Sequence, residues 1–247
     1  MKSTAPTPSS SGSRVYRGAS AEDRRQQRHE RLLEAAFESF ARHGISRTTM
    51  RDICAVARLT DRYFYESFRN TEDAFEAVYQ WQKTQLMAHL TQALQDAPRS
   101  LQELAKAGLR AFFEFMKEDK RRAQVLLIDA FSANQQTSTK SRAAMGQYAT
   151  LVNQIAQELY PKMPPGFNLE MLTWGLLGMV LQVGINWAQN GYQQPVEEVM
   201  SYTLFAWQGL EAWIGRMISD AKEAQDLRRR ATDPKPGEFG IPPNLAD

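Results

Sequence analysis

RLLEAAFESFARHGISRTTMRDICAVARLTDRYFYESFRNTEDAF, residues 31–75, is the stretch that decides the fold. Leu33, Phe37 and Phe40, with Leu32, Ala36 and Ala41 beside them, recur at the spacing of one helix face, and Gly44 is a stop signal. Thr49-Met50-Arg51-Asp52 reads as the capped start of a short helix through Ala57. Arg58-Leu59 then makes a tight connection, and Thr60 starts another short helix that reaches Phe68. Leu59, Phe64 and Phe68 are predicted to face inward, onto Ile53 and Phe40. Two short helices joined by a tight turn and pinned by a longer one form a helix-turn-helix, whose second helix is narrow enough for the major groove.

The rest of the chain extends this all-α pattern in both directions. Ser20-Ala21-Glu22-Asp23 resembles a capping box and opens the first helix, while residues 1–19, rich in Ser, Pro and Thr, are expected to form a disordered arm. Downstream, Asn70-Thr71-Glu72-Asp73 starts a long helix, and Ser100-Leu101-Gln102-Glu103 caps the aromatic-rich Leu104–Met116. Asp119–Phe131, Ser138–Leu159, Asn168–Asn190 and Pro195–Ile218 follow as helices, with no convincing strand. The expected organisation is a helix-turn-helix domain over 20–70, a helical body over 71–218 and a tail over 219–247, largely disordered apart from a turn or two of helix within Ala221–Arg230.

Charge supports a division of labour. The 30 Lys/Arg and 28 Asp/Glu leave a net +2, but residues 1–70 carry 13 basic and 8 acidic side chains, so the head is +5 and the remainder −3. A basic head on a slightly acidic body suits a DNA reader with a regulatory body. Cys54 is the single cysteine, which excludes an internal disulfide and fits a reducing cytoplasm. His29, His43 and His89 form no metal-ligand pair, and no GxSxG, GxGxxG or Walker loop occurs, so no metal, cofactor or enzyme is expected. Met171–Ala188 is apolar, but Gln182, Asn186, Gln189 and Asn190 interrupt its second half, which favours a buried helix over a membrane span.

The residues from Arg28 to Tyr79 resemble the N-terminal domain of the TetR family of transcriptional regulators. Gly44, Thr48, Thr49, Ile53, Phe64, Tyr65, Phe68 and Glu72 fill the positions of that family's pattern. There are two departures: Arg58 stands where the family has Gly, and Thr71 where it has Lys. The resemblance implies phosphate contacts from Thr49 and Tyr65, with Thr71 weaker, and base contacts from Thr60, Arg62 and Tyr63. Asp61 either accepts from cytosine or simply favours the helix start. Arg14, Arg17, Arg24, Arg25 and Arg28 form either a DNA-reaching arm or a solvated tail, and Cys54 is a small buried residue.

In the body, the resemblance implies pairing of two copies through the last two long helices. Gly175, Gly178, Gln182, Asn186 and Gln189 share one stripe of the penultimate helix, and Met200, Leu204, Trp207, Leu210, Ile214, Met217 and Ile218 share one of the last. These stripes are assigned to a homodimer interface, with packing inside one subunit as the alternative. Apolar positions in excess of one core, Phe112, Phe115, Met116, Phe131, Tyr148, Met171 and Trp174, are candidates to line a pocket for a small apolar ligand. The function expected is a cytoplasmic, dimeric repressor that binds a palindromic operator in double-stranded DNA and is released by that ligand. A ligand-independent or activating regulator, and a protein-interaction module, remain open at this stage.

Overall fold

The computed structural model describes residues 20–132, 135–161 and 168–232. Helix α1, Ala21–His43, begins on a reciprocal cap: the Asp23 amide donates to Ser20 Oγ at 3.0 Å and the Ser20 amide to Asp23 Oδ2 at 2.8 Å. It ends at Gly44, whose φ of 73° suits a residue without Cβ. A single 3₁₀ turn, Ile45–Arg47, leads to α2 (Met50–Ala57) and α3 (Asp61–Ser67). Helix α4, Thr71–Asp96, connects this head to the body, which comprises α5 (Leu101–Glu118), α6 (Arg121–Ala123), α7 (Ala130–Ser132), α8 (Gln135–Leu159), α9 (Leu169–Gln189) and α10 (Val196–Thr232). Between α6 and α7 the helix widens into a π segment, Gln124–Asp129. No strand occurs among the described residues.

The head closes around a buried aromatic core. Phe37, Phe40, Ile53, Phe64, Phe68 and Phe75 are buried, and the rings of Phe40 and Phe75 meet edge-on with centroids 5.2 Å apart. Each such ring contributes about 1.5–3 kcal/mol by leaving water, so α3 is held by Phe64 and Phe68 and its other side stays outward. Arg31 Nη2 donates to the Ala57 carbonyl at 2.7 Å, tying α1 to the end of α2. Arg58 takes the left-handed conformation, φ 52° and ψ 46°, so the turn keeps the geometry that glycine serves elsewhere and strains an arginine to do it.

Head and body meet along a polar seam. Arg121 donates to Glu34 at 2.8 Å and Glu38 at 3.2 Å on α1, is paired with Asp119, and lies over the Phe37 ring at 4.4 Å. Beside it, buried Asp129 accepts from the Ile45 amide at 3.0 Å and from Gln124 Nε2 at 2.8 Å. Burial holds its carboxyl above the ordinary range, against the pull of these two donors.

Helix α9 is long and apolar enough, by length and composition, to cross a membrane. Its inner face, however, packs Leu176, Val180, Gly184 and Trp187 into the body. A Cβ on Gly184 would come within 3.2 Å of Leu127 and 3.3 Å of Phe112, so this glycine permits close approach of α9 to α5 and the π segment. Helix α10 continues past Ile218 to Thr232, placing residues 219–232, expected as the start of a tail, inside a helix of 37 residues. The expected N-terminal arm, residues 1–19, and residues 233–247 lie outside the described residues.

Candidate nucleic-acid interface

The outward side of the head is built from short helices whose caps are themselves candidate contacts. Thr49 caps α2: its hydroxyl accepts from the Asp52 amide at 3.3 Å and donates to Asp52 Oδ2 at 2.7 Å. Those bonds from the Thr49 hydroxyl and amide hold the Asp52 carboxyl below its ordinary value. Thr60 occupies the capping position of α3, but its side chain makes no capping bond, so the exposed hydroxyl is not committed to the helix start.

On α3, the Arg62 side chain is 84% exposed and Tyr65 62% exposed, while Phe64 between them is buried. Arg62 Nε donates to Glu66 at 3.1 Å. Tyr63 is half-buried beneath the guanidinium of Arg28, 4.6 Å from its ring centroid, and Arg28 also lies 3.8 Å from Glu66. Arg28 therefore belongs to a clamp between α1 and α3, and to neither the arm nor the tail that its position suggested. Asp61 is exposed in the first turn of α3, where its charge favours the helix start.

Thr71 is the first residue of α4 and is half-buried; the cap is Asn70, whose Oδ1 accepts from the Asp73 amide at 2.8 Å. The cation at this corner is Arg69, with an exposed side chain paired to Asp73 at 2.7 Å. Sequence reasoning missed Arg69 because it lies outside every motif position; its spacing just before Asn70 was the available signal. Cys54 is buried, and burial pushes its thiol up, as suits a small core residue.

A second candidate site lies in the body. A partly open cavity of about 190 Å³ is lined by α4, α5, α7, α8, α9, α10 and the π segment, with walls that include Tyr79, Phe112, Leu127, Phe131, Tyr148 and Trp207. Phe112, Phe131 and Tyr148 thus stand where a pocket was expected. Phe115 and Met116 are buried but do not line it. They lie a turn further along α5, where the Arg122 guanidinium covers the Phe115 ring at 3.6 Å. Met171, 71% exposed, and Trp174 also miss the cavity, because they share the outer face of α9 with Gly175 and Gly178. Burial pushes the Tyr148 phenol well up, so it remains a neutral hydroxyl in the wall.

The interface stripes also divide. Gly175, Gln182 and Asn186 are exposed and Gly178 half-exposed, and a Cβ on either glycine would meet nothing within 4 Å. Leu204 and Trp207, by contrast, pack inward: both lie against the core, and Trp207 lines the cavity with its Nε1 buried and unpartnered. The outward side of α10 carries Tyr202, Phe205, 77% exposed, and Trp213. The Ile214 side chain lies outside the described residues. Among the described residues no group of three or more His, Cys, Asp or Glu could hold a metal ion.

Residues 32–78 match the pattern described as bacterial regulatory proteins, tetR family. The head therefore carries the TetR-family pattern. The chain is 34% identical over 83 residues to the probable acrEF/envCD operon repressor of Escherichia coli K12; the match covers 32% of the chain and 38% of that relative's length. A longer match, 24% identical over 189 residues, covers 75% of the chain and 84% of the HTH-type transcriptional activator FasR of Mycolicibacterium smegmatis. The regulator FadR from Bacillus subtilis, solved in complex with stearoyl-CoA, shares the fold with a TM-score of 0.65 at 16% identity, covering 72% of this chain and 97% of that one.

Proposed function

We propose that this chain is a TetR-family DNA-binding transcriptional regulator that acts as a homodimer on a palindromic operator. The observation that carries the reading is the outward row Thr49, Thr60, Arg62 and Tyr65, set on helices whose other sides are locked by Phe40, Ile53, Phe64 and Phe68. A guanidinium fork reads guanine O6 and N7, and hydroxyls serve phosphates. Thr49 and Tyr65, with Thr71 and Arg69 at the neighbouring corner, are assigned to phosphate; Thr60 and Arg62 are assigned to bases. Tyr63, stacked under Arg28, supports α3 and offers at most its edge.

Two copies pair through the outer faces of α9 and α10, with Gly175, Gly178, Gln182 and Asn186 on one helix and Tyr202, Phe205 and Trp213 on the other. Exposed aromatic side chains along one helix face are costly in a monomer and favour a covered face. Pairing places two reading helices on half-sites about one DNA turn apart.

The cavity is assigned to a small apolar ligand, consistent with its Leu-, Phe- and Tyr-rich wall and with the stearoyl-CoA held by the fold relative. The π segment supplies a route from this site to the head. Leu126 and Leu127 line the cavity, and Asp129 on the same segment anchors the Ile45 amide just ahead of α2. A ligand that displaces the wall shifts this anchor and, with it, the spacing of the heads. Repression relieved by ligand is the primary reading, in line with the Escherichia coli relative; activation is the second, favoured by the longer match to the relative named as an activator. Such a protein works in the cytoplasm, beside DNA, without membrane or catalytic chemistry.

Selection of bound duplexes from random DNA, followed by filter retention over increasing salt, tests the reading. The expected result is a two-fold symmetric motif and an affinity that falls steeply with salt. Failure to enrich any motif, or salt-insensitive retention, would overturn it.

A further inference from the structure

We propose that Glu66 is a positioning residue that sets Arg62 for base reading and weakens contact with DNA of other sequence; this rests on the DNA-reading proposal above. The charged residues of α3 are Asp61, Arg62 and Glu66, a net of −1 on a helix assigned to a polyanion. Glu66 is not simply solvated. Its Oε1 accepts from Arg62 Nε at 3.1 Å, one turn back on the same helix, and its Oε2 lies 3.8 Å from Arg28 Nη2. Arg28 is itself fixed over the Tyr63 ring, 4.6 Å from the centroid. The array Arg28–Glu66–Arg62 thus fastens an otherwise mobile arginine to α1.

The chemistry of the contact matters. Glu66 engages Arg62 through Nε and leaves the terminal nitrogens, which can form a fork onto guanine O6 and N7. An arginine held this way loses less side-chain freedom when it meets a base. The same carboxylate repels nearby phosphates and keeps Arg62 partly neutralised on DNA that offers no guanine at that position. Glu66 therefore favours discrimination over total affinity, a role no sequence motif reveals because it depends on three residues from two helices.

Two variants separate the parts. Glu66→Gln keeps an acceptor oxygen for Arg62 Nε and removes the charge; Glu66→Ala removes both. Wild type and both variants are used, as full-length protein, to select duplexes from random DNA. Fluorescence anisotropy then compares the wild-type motif with a scrambled duplex between about 50 and 200 mM salt. Both variants are expected to bind the scrambled duplex roughly threefold to tenfold more tightly as the repelling carboxylate is lost, and Glu66→Ala, which frees Arg62 to turn to phosphate, should also show a steeper salt slope. Glu66→Ala alone should lose the guanine preference at one position of each half-site, and Glu66→Gln should retain it. An unchanged base preference in Glu66→Ala, or no gain on scrambled DNA, overturns this proposal while leaving the DNA-reading assignment intact. If wild-type protein selects no motif at all, the DNA-reading assignment itself fails, and this proposal with it.

Discussion

Replacing Asp129 by Ala tests the seam between head and body. In the folded chain this carboxylate satisfies the Ile45 amide at 3.0 Å and Gln124 Nε2 at 2.8 Å in a buried setting. Alanine leaves that amide without its acceptor, which costs about 1–3 kcal/mol. Release of the buried carboxylate from its own desolvation offsets part of this, so a net loss of about 2 kcal/mol is expected. For a chain of this size each kcal/mol moves the melting temperature by about 2–4 °C, giving a fall of about 4–8 °C. The pH dependence has a definite sign. Burial raises the folded-state pKa above the unfolded one, so the stability linked to this group is fully present below the unfolded pKa and declines as pH rises through the folded pKa. The penalty for Asp129→Ala should therefore be larger in mildly acid buffer than at neutral pH. Circular dichroism melts measure the stability, and hydrogen exchange at Ile45 reads the anchor directly. A melting shift under about 1 °C together with unchanged exchange at Ile45 would refute the reasoning.

Other substitutions probe separate parts of the molecule. Thr49→Ala removes the cap of α2 and should cost about 1 kcal/mol in thermal melts, together with weaker DNA retention. Arg58→Gly relieves the left-handed arginine and should raise stability by about 0.5–1 kcal/mol, a gain that disappears if the strain is already relaxed in solution. Arg62→Ala should reduce discrimination at one base position by about 1–3 kcal/mol, whereas Tyr65→Phe should weaken binding evenly across sequences, both read by anisotropy on selected duplexes. Phe205→Glu combined with Trp213→Glu should convert a dimer to monomers in sedimentation velocity; an unchanged sedimentation coefficient would place the interface elsewhere.

The head was legible because its signals are local. Ser20 with Asp23, Thr49 with Asp52 and Asn70 with Asp73 each complete a cap within a single turn, and the i, i+4 spacing of Phe64 and Phe68 sends both rings to one side of α3. The same local reasoning located the main body helices, and it placed Phe112, Phe131 and Tyr148 among candidates that do line the cavity. It left the choice open where two apolar stripes share one helix. On α10, Leu204 with Trp207 and Phe205 with Trp213 are both apolar, and no local rule says which faces the core. Packing of α10 on α5 and around the cavity turned Trp207 inward and left Phe205 outside.

Charge shows the same boundary. The sequence alone distinguished a +5 head from a −3 body, and it set Arg58 where the family it resembles has glycine. It could not assign partners. Arg28 stands in the first helix and meets Tyr63 and Glu66 only after α1 and α3 pack; Asp129 meets Ile45 across 84 positions of chain. Caps and periodicity act over a turn or two and are written in adjacent residues. The choice of buried face, and of the base or acid that faces each charge, is made by the whole fold, because the cost of burying a ring or a carboxylate depends on everything packed against it.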